Sequence, residues 1–106
     1  EWAVVEWQVH AGDEPPIHTH TREDETLYLL EGSITAFVGD QRIDVEAGSY
    51  AALPQNLPHG LTVKDDLARI LIIFEPAGFE YFLVPRDESD SDPAKFGLEI
   101  VGPAPE

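Results

Sequence analysis

"GDEPPIHTHTREDETLYLLEG", Gly12 to Gly32, places two of the chain's four histidines one residue apart, then a carboxylate, an apolar run and a glycine. In a strand, residues two apart point to the same side, so His18 and His20 share a face. Pro15 and Pro16 fix the approach of the chain and leave few backbone donors there. "TRED", Thr21 to Asp24, is polar and reads as a turn. Glu25 then opens the next strand, with Leu27 and Leu29 on the face of its carboxylate. Two imidazoles and one carboxylate thus converge near one end of an apolar interior. A lone carboxylate is costly to keep ionised there, and a divalent cation removes that cost. Three groups leave a metal short of ligands, so a fourth is expected elsewhere. His59 is the better candidate, because "LPQNLPHGLTV" is a Pro/Gly-rich turn just before a strand, and the bend can swing its ring back. His10 reads as a strand-end residue, not a ligand.

Outward from this stretch the chain reads as all-β. "WAVVEWQV" is rich in Val and Trp. "TLYLL" and "SITAFV" flank Glu31-Gly32 as two strands flank a tight turn. "RIDVE" alternates, with Ile43 and Val45 on one face, and Gly39-Asp40 joins it to the preceding strand as a hairpin. "YAAL" and "LTV" are short strands. "ARILIIF", Ala68 to Phe74, is apolar on both faces, so both must be covered, by a second sheet or by a partner subunit. Many short strands with closely spaced turn signals predict a sandwich or barrel. Only "GFEYFL", after Pro76, predicts a helical turn, which Pro85 ends. The expected organisation is one domain over 1–85, then an acidic segment and tail over 86–106. In that tail "RDESDSD", Arg86 to Asp92, is expected to be solvated, and Gly102 to Glu106 is Pro/Gly-rich.

Composition narrows the functions. At 106 residues the chain is one domain, and 42% hydrophobic content fills one core. A formal net charge of −15 repels phosphate backbones and anionic lipid, so neither nucleic acid nor membrane is an expected partner. The absence of cysteine excludes disulfides and thiolate metal sites. No apolar run is long enough to span a membrane and no leader is visible, so a cytoplasmic location is expected. The chain also lacks methionine and reads as a trimmed product, which leaves a lost leader open.

The residues now resemble a known family, the cupins. Their first motif is a glycine, five residues, His-x-His, three or four residues, Glu, six residues and a glycine. This chain reads Gly12, "DEPPI", His18-Thr19-His20, "TRED", Glu25, "TLYLLE", Gly32, and every fixed position matches. Such a match arises by chance on the order of once in ten thousand sequences of this composition. The second motif is a glycine, five residues, Pro-x-Gly, two residues, His, three residues and Asn. Here it reads Gly48, "SYAAL", Pro54-Gln55-Asn56, "LP", His59, "GLT", Val63. Asn56 replaces the glycine and tolerates the left-handed conformation a turn needs. Val63 replaces the asparagine, which removes that polar contact and leaves the histidine. The resemblance implies a jelly-roll β-barrel (a double-stranded β-helix), often dimeric, with one metal held by His18, His20, Glu25 and His59. Exposed strand histidines, one more surface acid and a turn histidine are the bland alternatives, and the spacing argues against them.

Three nitrogens and one oxygen suit Fe, Mn, Co, Ni or Zn without choosing among them. An octahedral metal with four protein ligands keeps two positions for water, a small-molecule substrate or dioxygen. Glu25 can then serve catalysis by accepting a proton from a substrate hydroxyl. Leu27, Leu29, Ile43, Ala52, Leu61 and Ile72 are the expected apolar lining. Trp2, Trp7 and Phe74 read as core or dimer contacts, and Tyr28 as packing outside the barrel. With six basic residues in all, little is available to hold a polyanion. "FEPAGFEYFL" after the last strand makes the chain similar to small quercetin-dioxygenase-like cupins, which implies an oxygenase acting on an enolic or flavonol-like compound. A metal-dependent isomerase, cyclase or decarboxylase, and a non-catalytic metal- or ligand-binding module, remain open. A homodimer is expected, because "ARILIIF" exceeds what one barrel interior covers and the Trp-bearing first strand suits its other side.

Overall fold

The computed structural model describes residues 1–105. Nine strands follow in order: β1 (Ala3–His10), β2 (Ile17–His20), β3 (Asp24–Glu31), β4 (Ser33–Val38), β5 (Gln41–Glu46), β6 (Tyr50–Leu53), β7 (His59–Val63), β8 (Leu67–Glu75) and β9 (Leu98–Gly102). A short helix, α1 (Glu80–Leu83), and 3-10 turns at Glu88–Ser91 and Pro93–Phe96 lie between β8 and β9. The strands form two antiparallel sheets, β1-β8-β3-β6 and β5-β4-β7-β2-β9. The fold is a cupin-type jelly roll.

Alternation decides which side chains meet between the sheets. Ala68, Ile70, Ile72 and Phe74 of β8 and Leu27 and Leu29 of β3 are buried, and they face Ile34, Ala36, Val45 and Leu61 of the other sheet. The opposite face of β8, with Leu71 and Ile73, is only half-buried. Among the described residues no strand of the other sheet lies over it. The expectation that both faces of "ARILIIF" need cover is thus met on one side within the chain.

The hairpin expected at Gly39-Asp40 is present, with Val38 opposite Gln41. The tight turn expected at Glu31-Gly32 joins strands that do not pair, and here the reading is corrected. β3 belongs to one sheet and β4 to the other. Gly32 carries the chain across at φ +93°, and a Cβ there would lie 2.6 Å from the Leu67 carbonyl oxygen. A glycine is required twice over, by its left-handed backbone and by this close approach.

The helical turn expected within "GFEYFL" is α1. The acidic run is not simply solvated. Asp90 is fully buried and accepts from Arg86 and Lys95, with Arg86 Nε at 3.0 Å and Lys95 Nζ at 2.7 Å. Burial opposes its charge, but these two cations hold its carboxyl well below the usual range. The segment then supplies β9, a strand with no clear sequence signal, which pairs with β2 so that Leu98 faces His20 and Ile100 faces His18. The Pro/Gly-rich tail beyond β9 is described as far as residue 105, and Glu106 lies outside the described residues.

Candidate metal centre

β2 lies between β7 and β9, and its two histidines project into the interior together. His18 pairs with His59 across the β2–β7 ladder. Glu25 comes from the facing sheet, between Leu53 of β6 and Phe74 of β8. His59 reaches β7 through a turn in which Asn56 takes φ +66°, the left-handed conformation expected there. The four side chains each present one ligand atom, and these atoms all lie within 4.8 Å of one another. Ring centroids are 5.0 Å apart for His18 and His20, 4.4 Å for His18 and His59, and 5.2 Å for His20 and His59.

Hydrogen bonds orient two of the rings. His18 Nδ1 donates to the Pro16 carbonyl at 2.8 Å, which leaves Nε2 free. His20 Nδ1 donates to Glu23 Oε2 at 3.0 Å, and both residues are buried. His20 Nε2 lies 3.1 Å from Glu25 Oε1 but without the alignment of a hydrogen bond, and neither nitrogen of the buried His59 has a partner. Buried nitrogens of this kind are costly unless something satisfies them. One such nitrogen each from His20 and His59, with the free Nε2 of His18 and the Glu25 carboxylate, matches the donor set of a divalent transition metal.

The electrostatics agree. Burial lowers the His18 pKa, although the Pro16 carbonyl opposes it. Burial also pushes His59 down, to about 4. It works against the His20 imidazolium as well, but Glu23 and Glu25 beside it prevail and raise its pKa to about 9. Burial disfavours the Glu25 carboxylate, yet the surrounding histidines hold its pKa below the usual value. At neutral pH the metal-free cluster therefore holds an ionised Glu25, neutral His18 and His59, and a protonated His20.

The cluster opens into a cavity of about 360 Å³. Its walls include Trp7, Leu53, Leu61, Ile72, Phe74 and Phe79, with Phe82, Leu83, Leu98 and Ile100 from the last quarter of the chain, and no Lys or Arg among the described lining residues. Of the expected lining, Leu61 and Ile72 are there. Leu27 and Leu29 are core, and Ile43 is half-buried away from the cavity. Ala52 is exposed, because β6 turns Ala51 and Leu53 inward. Phe74 is core and Trp7 packs against that core, as expected, and both also line the cavity, whereas Trp2 is exposed. His10 ends β1 exposed and apart from the cluster, and Tyr28 faces outward. Glu23 escaped the sequence reading, since it sits within a polar turn; a carboxylate three residues after a metal-type histidine is the signal that points to it. Val63, where the second motif has asparagine, has its N–H held by Glu14 Oε2 at 3.0 Å.

The family model for the cupin domain matches residues 5–74. The chain is a cupin. Among curated proteins, this cupin is 28% identical over 82 residues to quercetin 2,3-dioxygenase of Bacillus subtilis (strain 168). That match covers 77% of the chain and 24% of the relative, so the chain spans about a quarter of the relative's length. Among solved structures, it resembles a cupin-2 domain containing protein from Shewanella frigidimarina, with 26% identity, a TM-score of 0.61 and 68% of each chain covered. It also resembles KdgF from Halomonas sp., with a TM-score of 0.69 and 18% identity over 74% of this chain and 71% of that one, a likeness of fold.

Proposed function

We propose that this cupin is a metal-dependent oxygenase acting on an enolic or flavonol-like aromatic compound, with His18, His20, Glu25 and His59 as the ligands of one divalent transition metal. The observation that carries the reading is a three-histidine, one-carboxylate cluster at the end of an apolar cavity whose described lining holds no cation. A flat aromatic molecule fits such walls, whereas a phosphorylated or polycarboxylate substrate finds no counter-charge. The similarity to quercetin 2,3-dioxygenase supports the same reading.

When bound, the metal supplies Lewis acidity and an electron path between substrate and dioxygen. The chain supplies the rest. Glu25 borders the cavity and is ionised at neutral pH, so it can accept the proton of a substrate hydroxyl. His18 and His20 are oriented by Pro16 and Glu23. Phe74, Phe79 and Trp7 exclude water and hold an aromatic ring by its faces and edges. Oxygen uptake over a panel of enolic compounds, with the Glu25→Gln variant beside the wild type, tests the reading. Turnover should need dioxygen and fall about a hundredfold or more in the variant at metal saturation. Equal turnover without dioxygen would replace the oxygenase by an isomerase or decarboxylase. No enolic compound perturbing the cobalt spectrum would favour a non-catalytic binding module.

We also propose a homodimer through the outer face of the sheet β1-β8-β3-β6. Leu71 and Ile73 are half-buried there, beside the more exposed Val4, Tyr28 and Tyr50. A contiguous apolar surface of this kind on a chain of net charge −15 marks an interaction face.

A further inference from the structure

We propose that Glu23 is the positioning residue of the metal centre: its buried carboxylate holds His20 as the Nδ1–H tautomer and aims Nε2 at the metal. The inference rests on the metal reading given above. The three histidines are held in three different ways. His18 donates to a neutral carbonyl, His20 donates to a carboxylate, and His59 has no hydrogen-bond partner. Glu23 is only 4% exposed, so water does not compete for its hydrogen bond to His20. A carboxylate behind a ligating imidazole fixes the tautomer and makes the ring a stronger electron donor.

The turn that carries Glu23 is itself clamped. The Thr21 N–H and hydroxyl both donate to the Gly97 carbonyl at 2.9 Å, and Arg22 Nη1 donates to the Lys95 carbonyl at 2.6 Å. The segment before β9 therefore sets where Glu23 stands. Gly97 has φ +71°, and a Cβ there would come 2.3 Å from Thr21 Oγ1, so the clamp admits no side chain. Phe79 closes the other side of the His20 ring, edge to face with centroids 4.3 Å apart. The ring is thus gripped by a carboxylate at Nδ1 and an aromatic edge, with Nε2 left without a hydrogen-bond partner 3.1 Å from Glu25 Oε1.

The test is cobalt affinity of the wild type, Glu23→Gln and Glu23→Ala, with nitrogen-15 NMR of the histidine side chains in zinc-loaded samples. Glu23→Ala should weaken cobalt binding between about tenfold and a hundredfold. Glu23→Gln keeps an acceptor and should lose less, giving partial rescue. The His20 Nδ1–H proton should be sharp and slow to exchange in the wild type, shifted in Glu23→Gln and lost in Glu23→Ala. Should Glu23→Ala fail to fold, the Gln variant still reads both affinity and proton shift. Wild-type protein that binds no cobalt would overturn the metal reading and this inference with it. Cobalt bound normally by the wild type, with an affinity loss under twofold in the folded Glu23 variants or His20 ligating through Nδ1, would overturn this inference alone.

Discussion

His18 and His59 stand directly opposite each other on β2 and β7, with their ring centroids 4.4 Å apart. This ladder pair brings together two histidines whose strands have four others between them in sequence. It also creates a conflict between stability and function. Both nitrogens of His59 are buried without a partner. His59→Leu removes them, so the metal-free variant should be as stable as the metal-free wild type or up to about 1 kcal/mol more stable. The same variant should lose most of its metal affinity. Urea unfolding with and without cobalt checks both halves.

The cluster makes metal loading pH-dependent. His20 has its pKa raised from 6.5 to about 9, so it contributes stability in full below about pH 6.5 and loses it as pH rises through about 9. His59 is depressed to about 4, so its contribution is present above about pH 6.5 and is lost as pH falls toward 4. For these two groups the metal-free protein should be most stable near pH 6.5. Since His20 alone of the three holds an extra proton at pH 7, loading should release about one proton per metal there and none well above pH 9. Calorimetry in buffers of different ionisation enthalpy measures that number.

Gly32 and Gly48 have nearly the same backbone, at φ +93° and +92°, but different surroundings. A Cβ at Gly32 meets the Leu67 carbonyl oxygen at 2.6 Å, and at Gly48 it meets nothing within 4 Å. Gly48→Ala should cost only the left-handed strain, about 1 kcal/mol. Gly32→Ala should cost at least about 2 kcal/mol, because the crossing between sheets must shift as well. Denaturant midpoints of the two variants isolate the close approach.

Much of this was legible in the sequence, because strand parity is a strong rule. It put His18 and His20 on one face and Glu25 with Leu27 and Leu29 on another. The rest turned on contacts that parity does not encode. A Glu-Gly pair between two apolar runs reads the same whether the chain reverses in one sheet or crosses to the other, and only the β8 backbone packed on Gly32 decides. "YAAL" is too short for its phase to be fixed by two alanines, and Ala51 and Leu53, not Ala52, turn inward. Asp90 lies in a run of charges that looks solvated, and its burial depends on Arg86 and Lys95 being brought to it. β9 follows that run with no amphipathic pattern of its own. Its place comes from the free edge of β2.

The proposed homodimer rests on side chains that are exposed within one chain. Val4 is 58% and Tyr50 69% exposed, so charging them should leave each subunit folded. Val4→Lys with Tyr50→Lys should shift the protein from dimer to monomer at micromolar concentration, with little change in unfolding of the separated subunit. Sedimentation velocity reads the change. A wild type that is already monomeric would remove this face as a dimer contact.

His18, His20, Glu25 and His59 are proposed to hold one metal ion together. Titration of metal-free protein with cobalt, followed by visible absorption and calorimetry, tests it most directly. One equivalent per chain is expected, with His10→Ala titrating like the wild type and the cobalt bands lost on replacing any of the four residues. Less than a tenth of an equivalent bound by the wild type, or bands unchanged in His18→Ala and His59→Ala, would contradict it.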